Sequence, residues 1–417
     1  MKLLAVVPYL PAPTWGGGAR SFYVLKALAT RYRVSLIALS RGGESRISED
    51  CQPLLQRLQS VELVPYPASR WRRWRQAVNI VRGESSAIAD RCPPALQVAL
   101  DQALTADSYQ AVYVDGALTA AGLRLPASLP LLILQHNLEY ELLYRTYCTE
   151  KGWLRRWYNG REYRLVKPRE LACCQRAAAV FVTSERERQL LKDILPQACV
   201  GVVPNGVDPS FFAPAAEETS LESEREARLR VVFTGSLDYY PNEQAVLYFA
   251  HQCWPLIRGQ LPAAEWWIVG RNPPWSVRRL ARLPGVTVTG TVPDVRPYLA
   301  SASVVVVPLR IGSGTRLKIL EALAMKKAVV STTLGAEGLA VTSGRHLLLA
   351  DAPADFAGAV IALLRDADRR QALGEAGRRL VEQEYSWERC EERLEDLLAA
   401  QEFLGGTSLF RSSSLWG

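Results

Sequence analysis

The segment from Gly312 to Glu321 carries the residue types best suited to holding a diphosphate. It reads GSGTRLKILE and follows a short apolar run, so it predicts a glycine loop that opens into a helix. The glycines expose backbone N–H groups at the positive end of the helix dipole, where anions bind. Arg316 and Lys318 add two cations in the predicted first turn, so the segment predicts a diphosphate site. The remaining loop residues that we predict to contact this diphosphate are Gly312, Ser313, Gly314 and Thr315.

Glu321 stands three residues after Lys318 in the predicted helix. A separation of about six residues from the loop corresponds to roughly 9 Å along the axis, which matches the reach from a pyrophosphate to a ribose. A carboxylate there can accept both ribose hydroxyls. The alternative is a surface helix in which Lys318 and Glu321 pair at i,i+3. The loop is not a Walker motif, because the Gly-Lys-Ser/Thr ending is absent.

Two other turns follow predicted strands of the same half of the chain. Gly235 and Ser236 come after the first of these strands, and Val292 lies in the stretch Gly290–Asp294 after the third. Their backbones could contact a nucleotide, and we include Gly235, Ser236 and Val292 among the donor-binding residues. Each could equally be an ordinary strand-to-helix turn.

The N-terminal half offers a second glycine loop and a histidine at a strand end. Gly16, Gly17 and Gly18 open a helix and form a candidate loop for a phosphate or acceptor. As a dinucleotide fingerprint the loop is poor, since Ser21 occupies the third glycine position, and a tight turn explains it as well. His136 follows the run LLILQ and is the histidine placed where it could bond a sugar hydroxyl or phosphate. It could instead satisfy loop carbonyls.

These residues need a scaffold of parallel strands, and the sequence supplies two series of them. The first series is Leu3–Val7, Val34–Ala38, Ala111–Val114, Leu131–Leu134, Ala179–Thr183 and Gly201–Val203. The second series is Arg230–Thr234, Trp266–Val269, Val286–Thr289, Ser303–Pro308, Ala328–Ser331 and Leu347–Leu349. Continuous apolar runs alternate with helix-length amphipathic segments, which predicts an α/β protein with two doubly wound, Rossmann-like domains facing across a cleft. We place the N-terminal domain at residues 1–203 and the C-terminal domain, which carries the predicted diphosphate loop, at residues 204–385. We expect a C-terminal helix, residues 386–404, capped by Ser386, to pack back on the first domain. Residues 405–417 are rich in Gly and Ser and are expected to be disordered.

Composition narrows the possibilities further. The chain has 417 residues and a net charge of +8, and no run is long and apolar enough to suggest a membrane span. Residues 1–203 carry 27 Lys and Arg against 17 Asp and Glu, so the positive excess lies in the N-terminal half and favours an anionic partner there. The eight cysteines show no metal-ligand spacing. We therefore expect no metal, no cofactor and a cytoplasmic location.

Two basic aromatic stretches lie in this half, Arg70–Arg75 and Lys151–Tyr158. On helices, Trp71, Trp74 and Val78 would share a face, as would Trp153 and Trp157. Arginines beside tryptophans suit an anionic bilayer, which predicts peripheral attachment at the inner face of the plasma membrane. The alternative is core tryptophans flanked by solvated arginines. No nucleic-acid recognition motif accompanies them, so we expect no nucleic-acid partner.

Taken together, these motifs resemble the GT-B glycosyltransferases, specifically the large retaining family numbered four. The resemblance covers nearly the whole chain. It rests on the first glycine loop, the run His136-Asn137-x-Glu139, the junction 203–208, Gly235-Ser236, residues 308–324, residues 329–332 and Gly335-x-Glu337-Gly338. It implies transfer of a sugar from a nucleoside diphosphate to a glycan or lipid-linked acceptor with retained configuration and without a metal. His136 would hold the donor sugar, Arg316 and Lys318 would act as catalytic residues that stabilise the leaving diphosphate, and the acceptor proton would pass to the leaving phosphate. The resemblance also implies that residues 1–203 are the acceptor-side domain and residues 204–385 the nucleotide-sugar-binding domain.

The chain departs from the family pattern at two places. The family carries two glutamates with seven residues between them; Glu321 matches the ribose-binding second one, but Ser313 stands where the sugar-contacting first one would be. The basic pair that often follows the first strand of the second domain is also absent, and Arg316 and Lys318 are the candidates to replace its charge. Alternatives are a nucleotide-sugar epimerase on the same scaffold, a non-catalytic nucleotide-binding homologue and, with its defective fingerprint, an NAD enzyme.

Overall fold

The computed structural model describes residues 1–13, 16–41, 49–66, 72–150, 152–214 and 229–400. The chain divides into two compact units. Unit 1 contains Met1–Tyr140, Arg161–Val203 and the chain from Glu391 onward, and unit 2 contains Glu141–Gly160 and Pro204–Cys390. Each unit is built around a parallel sheet, so the predicted fold class of two Rossmann-like domains is confirmed.

Unit 1 has a seven-stranded sheet whose paired strands are all parallel, in the order β3-β2-β1-β4-β5-β6-β7. Successive residues of β1 enter two different cores: Leu4 and Val6 pack on one face of the sheet, and Leu3, Ala5 and Val7 on the other. Burial on both faces is what a continuous apolar strand requires. The strands are β1 (Lys2–Val7), β2 (Arg33–Arg41), β3 (Ser60–Tyr66), β4 (Ala111–Asp115), β5 (Leu131–Leu134), β6 (Ala179–Val182) and β7 (Val200–Val202).

Helices lie between successive strands of this parallel sheet along the chain, as in a doubly wound fold. Their starts follow local rules: Ser184, for example, accepts a hydrogen bond from the Glu187 N–H and caps the helix that follows β6. The helices are α1 (Gly16–Arg31), α2 (Gln52–Leu55), α3 (Arg72–Val81), α4 (Ser86–Ala89), α5 (Pro94–Ala106), α6 (Ala117–Gly122), α7 (Glu139–Thr149), α8 (Trp153–Arg176) and α9 (Glu185–Ile194), with a 3₁₀ turn at Glu49–Cys51.

Unit 2 has a six-stranded parallel sheet in the order β10-β9-β8-β11-β12-β13. Its strands are β8 (Arg230–Thr234), β9 (Glu265–Val269), β10 (Val286–Gly290), β11 (Val304–Val307), β12 (Ala328–Ser331) and β13 (Leu348–Leu349). The helices are α10 (Tyr240–Tyr248), α11 (Trp254–Gln260), α12 (Trp275–Arg278), α13 (Arg296–Ala300), α14 (Leu317–Ala324), α15 (Pro353–Arg365), α16 (Ala367–Leu380) and α17 (Trp387–Ala400). Phe249–Cys253 and Val381–Tyr385 are π-helical, and Arg279–Arg282 is a 3₁₀ turn.

The predicted domain boundary differs from the structure in the segment Glu141–Gly160. We expected these residues in the N-terminal domain, but they belong to unit 2. The physical reason is a set of polar contacts within that unit, including the bidentate ion pair of Arg145 with Glu337 and the hydrogen bond from the Tyr240 hydroxyl to Glu150. Hydrophobic periodicity gives no signal for contacts of this kind.

The C-terminal helix α17 also divides between the units. Ser386 accepts a hydrogen bond from the Arg389 N–H, as expected of its cap. From Glu391 the helix belongs to unit 1, where Leu394 and Leu398 enter the core and Leu397 packs against Gly201. The predicted tail, residues 405–417, lies outside the described residues. Within the described part of the chain, no helix is long and apolar enough to cross a membrane.

Candidate functional site

In each sheet, the direction in which successive strands of the chain are added reverses between two neighbouring central strands. In unit 2 these strands are β8 and β11, and in unit 1 they are β1 and β4. Connections leave such a pair toward opposite faces, so a crevice opens beyond the carboxyl ends of the two strands, where ligands bind in open α/β sheets. The loops at these two switch points hold most of the residues that we predicted to do chemistry.

The glycine loop after β11 is organised by side chains that bind its own backbone. Gly312 and Gly314 have φ values of +146° and +75°, a region that favours glycine. The Asn205 side-chain amide donates to the Thr315 hydroxyl at 2.7 Å. The Arg316 guanidinium donates to the carbonyl oxygens of Ser313 and Gly314. We predicted Arg316 in the first helical turn, but it occupies the N-cap position before α14, and its extended backbone turns the side chain back on the loop.

The side chain of Lys318 extends from α14 toward the end of β8. Its ammonium donates to the Asn242 side chain at 2.8 Å and lies 4.0 Å from the centre of the Phe233 ring. A Cβ added to Gly235 would come within 2.7 Å of the ammonium, so the absence of a side chain at Gly235 makes room for it. Burial lowers the pKa of Lys318 to about 7; the Arg316 charge lowers it further, and the Glu321 charge raises it.

Glu321 follows on the same helix, and like Lys318 it is half-buried. Burial raises its pKa to about 7, and the charge of Lys318 opposes that rise. The Lys318 ammonium makes its hydrogen bond with Asn242, and its charge and that of Glu321 stabilise each other. Two ionisable groups whose pKa values are moved toward neutrality from opposite directions make this a candidate functional site.

The turn after β8 gains a cation that the sequence did not single out. Asn242 donates to the Ser236 carbonyl at 2.8 Å, and Arg271, at the carboxyl end of β9, donates to the Ser236 hydroxyl at 2.5 Å. The signal for Arg271 was its position directly after the strand and Gly270. Val292 lies just beyond β10, on the edge of the sheet, and packs partly buried against the core. Its contact with a nucleotide stays a prediction.

In unit 1 the corresponding crevice contains a connected polar cluster. The Nε2 atom of His136 lies 2.8 Å from the Asp115 carboxylate and 2.9 Å from the Tyr9 hydroxyl. Tyr9 also lies 3.0 Å from that carboxylate and 2.9 Å from the Ser21 hydroxyl, and Ser21 donates to the other carboxylate oxygen. His136 is thus oriented by a carboxylate, the usual arrangement for an imidazole that binds or transfers protons.

Asp115 is the residue of this cluster that the sequence reading missed. It is the last residue of β4 and 1% exposed. Burial alone would raise its pKa, but the His136 charge and hydrogen bonds from His136, Ser21 and Tyr9 hold that pKa below its ordinary value. Burial, and then the Asp115 charge, raises the pKa of Tyr9 well above its ordinary value. An acidic residue that ends a strand at a switch point was the available signal.

Gly16, Gly17 and Gly18 form the first turn of α1 at the same crevice. The Gly17 carbonyl accepts a hydrogen bond from the Ser21 hydroxyl at 3.0 Å. The glycines are therefore the start of the helix rather than a loop before it, and their N–H groups lie at its positive end. Among the residues the structure describes, no group of three or more His, Cys, Asp or Glu side chains is placed to hold a metal ion.

Comparison with known proteins identifies the two halves of the chain separately. The family model described as Glycosyltransferase Family 4 matches residues 15–211, and the model described as Glycosyl transferases group 1 matches residues 228–366. A GDP-mannose-dependent monoacylated alpha-(1-6)-phosphatidylinositol monomannoside mannosyltransferase of Corynebacterium glutamicum is 30% identical over 216 residues, which is 48% of this chain and 56% of that protein. An uncharacterized glycosyltransferase of Methanocaldococcus jannaschii is 31% identical over 99 residues, 23% of this chain and 28% of that protein. The chain thus matches less than two thirds of either relative.

Solved structures share the fold over nearly the full length. The sucrose-phosphate synthase of Thermosynechococcus elongatus has a TM-score of 0.70 at 17% identity, with 96% of this chain and 99% of that one covered. WaaG, a glycosyltransferase involved in lipopolysaccharide biosynthesis, has a TM-score of 0.65 at 14% identity, with 97% of this chain and 100% of that one covered. Anabaena HepE in complex with UDP has a TM-score of 0.63 at 14% identity, with 96% of this chain and 100% of that one covered. At these identities the likeness establishes the fold.

Proposed function

Because this chain is a glycosyltransferase of the GT-B type and belongs to family four, we propose that it transfers a sugar from a nucleoside diphosphate donor, with retained anomeric configuration and without a metal. The observation that carries the proposal is the half-buried Lys318 ammonium between the ends of β8 and β11, beside the glycine loop. A diphosphate placed there would meet that cation, and a cation preorganised in a dry site stabilises a leaving phosphate most effectively.

The test is a thermal-shift panel of UDP-, GDP-, ADP- and dTDP-sugars followed by a transfer or hydrolysis assay with the donor that binds. A ligand that binds only the folded protein raises its melting temperature by mass action. We expect one sugar nucleotide to stabilise the protein and its turnover to be lost in Glu321→Ala and Arg316→Ala. Turnover that survives chelation by EDTA is the expected result for metal independence, and loss of turnover with EDTA that Mg²⁺ restores would contradict it.

The relatives support the choice of donors in this panel. The Corynebacterium protein is named for GDP-mannose, and the Anabaena protein is solved with UDP. The first relative is also named for a lipid-linked mannoside acceptor. We propose a lipid-linked or glycan acceptor for this chain, in polysaccharide or glycoconjugate biosynthesis.

In the proposed reaction, unit 2 holds the nucleotide and the cluster in unit 1 orients a reacting group. Glu321 accepts the ribose hydroxyls, and Lys318 and Arg271 neutralise the diphosphate. The acceptor hydroxyl attacks the anomeric carbon as the bond to the diphosphate breaks, and its proton passes to the leaving phosphate. The Asp115–His136 pair holds the imidazole in one orientation toward a sugar hydroxyl.

We also propose that the protein attaches to an anionic membrane surface. On α3, Trp74 is 67% exposed and shares a helix face with the exposed Val78 and Val81. At the start of α8, Trp153 is 80% exposed and Trp157 51% exposed, with Arg155 and Arg156 exposed between them. These tryptophans are therefore not core residues. Arg70, Trp71 and Lys151 of the two stretches lie outside the described residues.

Liposome flotation tests this attachment. We expect binding to vesicles containing phosphatidylglycerol, little binding to pure phosphatidylcholine, and loss of binding when Arg72, Arg73, Arg155 and Arg156 are replaced with Ser. Trp153→Ser should weaken binding, whereas Trp275→Ser, at an equally exposed tryptophan elsewhere in unit 2, should not. Unchanged binding of the four-arginine variant would contradict the proposal.

The two alternative functions, a nucleotide-sugar epimerase and a non-catalytic binding protein, predict different results with the same donor. An epimerase would interconvert the sugar without any acceptor, and a binding protein would show a thermal shift without transfer or hydrolysis. Both outcomes are read from the panel and assay described above.

A further inference from the structure

The glycine loop has few groups left to receive hydrogen bonds from a sugar. Its side chains between Arg310 and Arg316 include no carboxylate. The Gly312 carbonyl accepts a hydrogen bond from Arg145 at 2.8 Å, and the Ser313 and Gly314 carbonyls accept from Arg316. Each sugar hydroxyl donates one hydrogen bond, and a carboxylate is a strong acceptor for it, so a carboxylate beside the loop would recognise the sugar.

The segment Glu141–Gly160 brings such an acceptor to the loop. The Glu141 carboxylate lies 3.4 Å from the Ser313 hydroxyl, and its other oxygen lies 2.8 Å from Arg145, one helical turn further along α7. The side chain of Glu141 is 12% exposed. Arg145 therefore holds the carboxylate in a fixed direction against the loop.

Arg145 is itself held from the other side. It makes a bidentate ion pair with Glu337, at 2.7 and 3.1 Å, in the turn after β12. One guanidinium thus stands between two carboxylates, and this group of three side chains keeps a net negative charge. This negative charge disfavours binding of a phosphate beside Glu141 and favours binding of neutral hydroxyl groups that donate hydrogen bonds.

Building on the proposed function, we propose that Glu141 accepts hydroxyl groups of the transferred sugar beside Ser313, and that Arg145 and Glu337 are positioning residues that fix its carboxylate. The acceptor that the loop lacks is supplied by α7, a different element of the chain. The nucleotide itself is held elsewhere, by Lys318 and Glu321, so sugar and nucleotide recognition are separable.

The test compares Glu141→Gln with wild type by isothermal titration of two probes. The first is the UDP-, GDP-, ADP- or dTDP-sugar that gives the largest thermal shift, and the second is the nucleoside diphosphate of the same base. Because a hydrogen bond to a charged acceptor is lost, we expect affinity for the sugar nucleotide to fall roughly 10- to 100-fold. Affinity for the nucleoside diphosphate should stay within about twofold. Glu150→Gln, on the same segment and bonded to Tyr240, is the matched control and should change neither affinity.

A rescue experiment separates recognition from a structural role. Ser313→Glu would place a carboxylate on the loop within a few ångströms of the one removed, so the double variant Glu141→Gln/Ser313→Glu should regain part of the affinity for the sugar nucleotide. Equal losses for both probes would mean that Glu141 only holds the loop in shape, and no loss for either would mean that the sugar does not touch it; both results overturn the inference. A wild-type protein that binds neither probe overturns the proposed function instead, and this inference with it.

Discussion

The ammonium of Lys318 lies 2.8 Å from the side-chain oxygen of Asn242, which joins the start of α14 to α10 across the crevice between β8 and β11. Asn242 in turn donates to the Ser236 carbonyl, so the turn after β8 and the cation are fixed together. The family pattern often places a basic pair after this strand. Here the cation at that position comes from the helix of the glycine loop.

Binding of a nucleoside diphosphate should exchange protons in opposite directions on the two sides of pH 7. At pH 8 Lys318, with a pKa of about 7, is mostly neutral in the free protein, and the incoming phosphates raise its pKa, so binding takes up a proton. At pH 6 Glu321, also with a pKa of about 7, is mostly protonated, and ribose hydroxyls that donate to its charged form lower its pKa, so binding releases one. Titration calorimetry in buffers of different ionisation enthalpy measures both.

Single variants show which residue takes up or releases each proton. Lys318→Met should abolish uptake at pH 8 and keep release at pH 6, although with weaker binding, and Glu321→Gln should do the reverse. Proton exchange of the same sign at both pH values in the wild type would contradict the assignment.

Glu321 should be specific for the ribose. We expect Glu321→Ala to lower the affinity for the nucleoside diphosphate roughly 10-fold or more, since hydrogen bonds to a charged acceptor are lost. The 2′,3′-dideoxy analogue, which lacks both hydroxyls, should bind wild type and variant equally. If the variant loses affinity for the analogue to the same extent, Glu321 supports the helix rather than the ligand.

The sequence was most informative where burial is continuous. Strands such as Leu131–Leu134, Arg230–Thr234 and Ala328–Ser331 were predicted with the bounds that the structure gives them, because residues buried on both faces must all be apolar. The edge strand β3 (Ser60–Tyr66) was missed. Most of its side chains are exposed or half-buried, and Pro65 is tolerated only because one edge is unpaired.

For the site, the sequence indicated the loops but not the partners of their side chains. The positions of Gly235 and Gly312 at strand ends followed from hydrophobic pattern and glycine chemistry. Contacts such as Lys318 with Asn242, or Glu141 with Ser313, join residues far apart in the chain, and no local spacing encodes them. Asp115 was missed because the predicted strand ended one residue before it.

Asp115→Asn should reduce turnover without weakening donor binding. An amide cannot hold the His136 imidazole as a carboxylate does, so we expect kcat to fall about 100-fold, the scale of loss when a group that orients a reactant is misplaced. Donor affinity, which we attribute to unit 2, should stay within about twofold. Tyr9→Phe removes the hydroxyl contacts with His136, Asp115 and Ser21 but keeps the direct contact between His136 and Asp115, so its effect should be smaller. A donor Kd that rises in parallel with the loss of turnover would mean that the cluster binds donor rather than orienting a reacting group.

Glu170 should make the stability of unit 1 depend on pH through the start of α7. Its carboxyl accepts hydrogen bonds from the Glu139 and Tyr140 N–H groups and from Gln135. Burial, and then the Glu139 charge, raises its pKa to about 8, far above the unfolded value of about 4.3. The unfolded chain therefore loses this proton first as the pH rises. The contribution of the protonated Glu170 to the free energy of unfolding is full below about pH 4 and is lost as the pH rises to 8.

We expect the melting temperature of Glu170→Gln, which stays neutral, to fall less than that of wild type between pH 5 and pH 8, as measured by scanning calorimetry. Parallel slopes for wild type and Glu170→Gln would show that this carboxyl is already ionised in the folded protein.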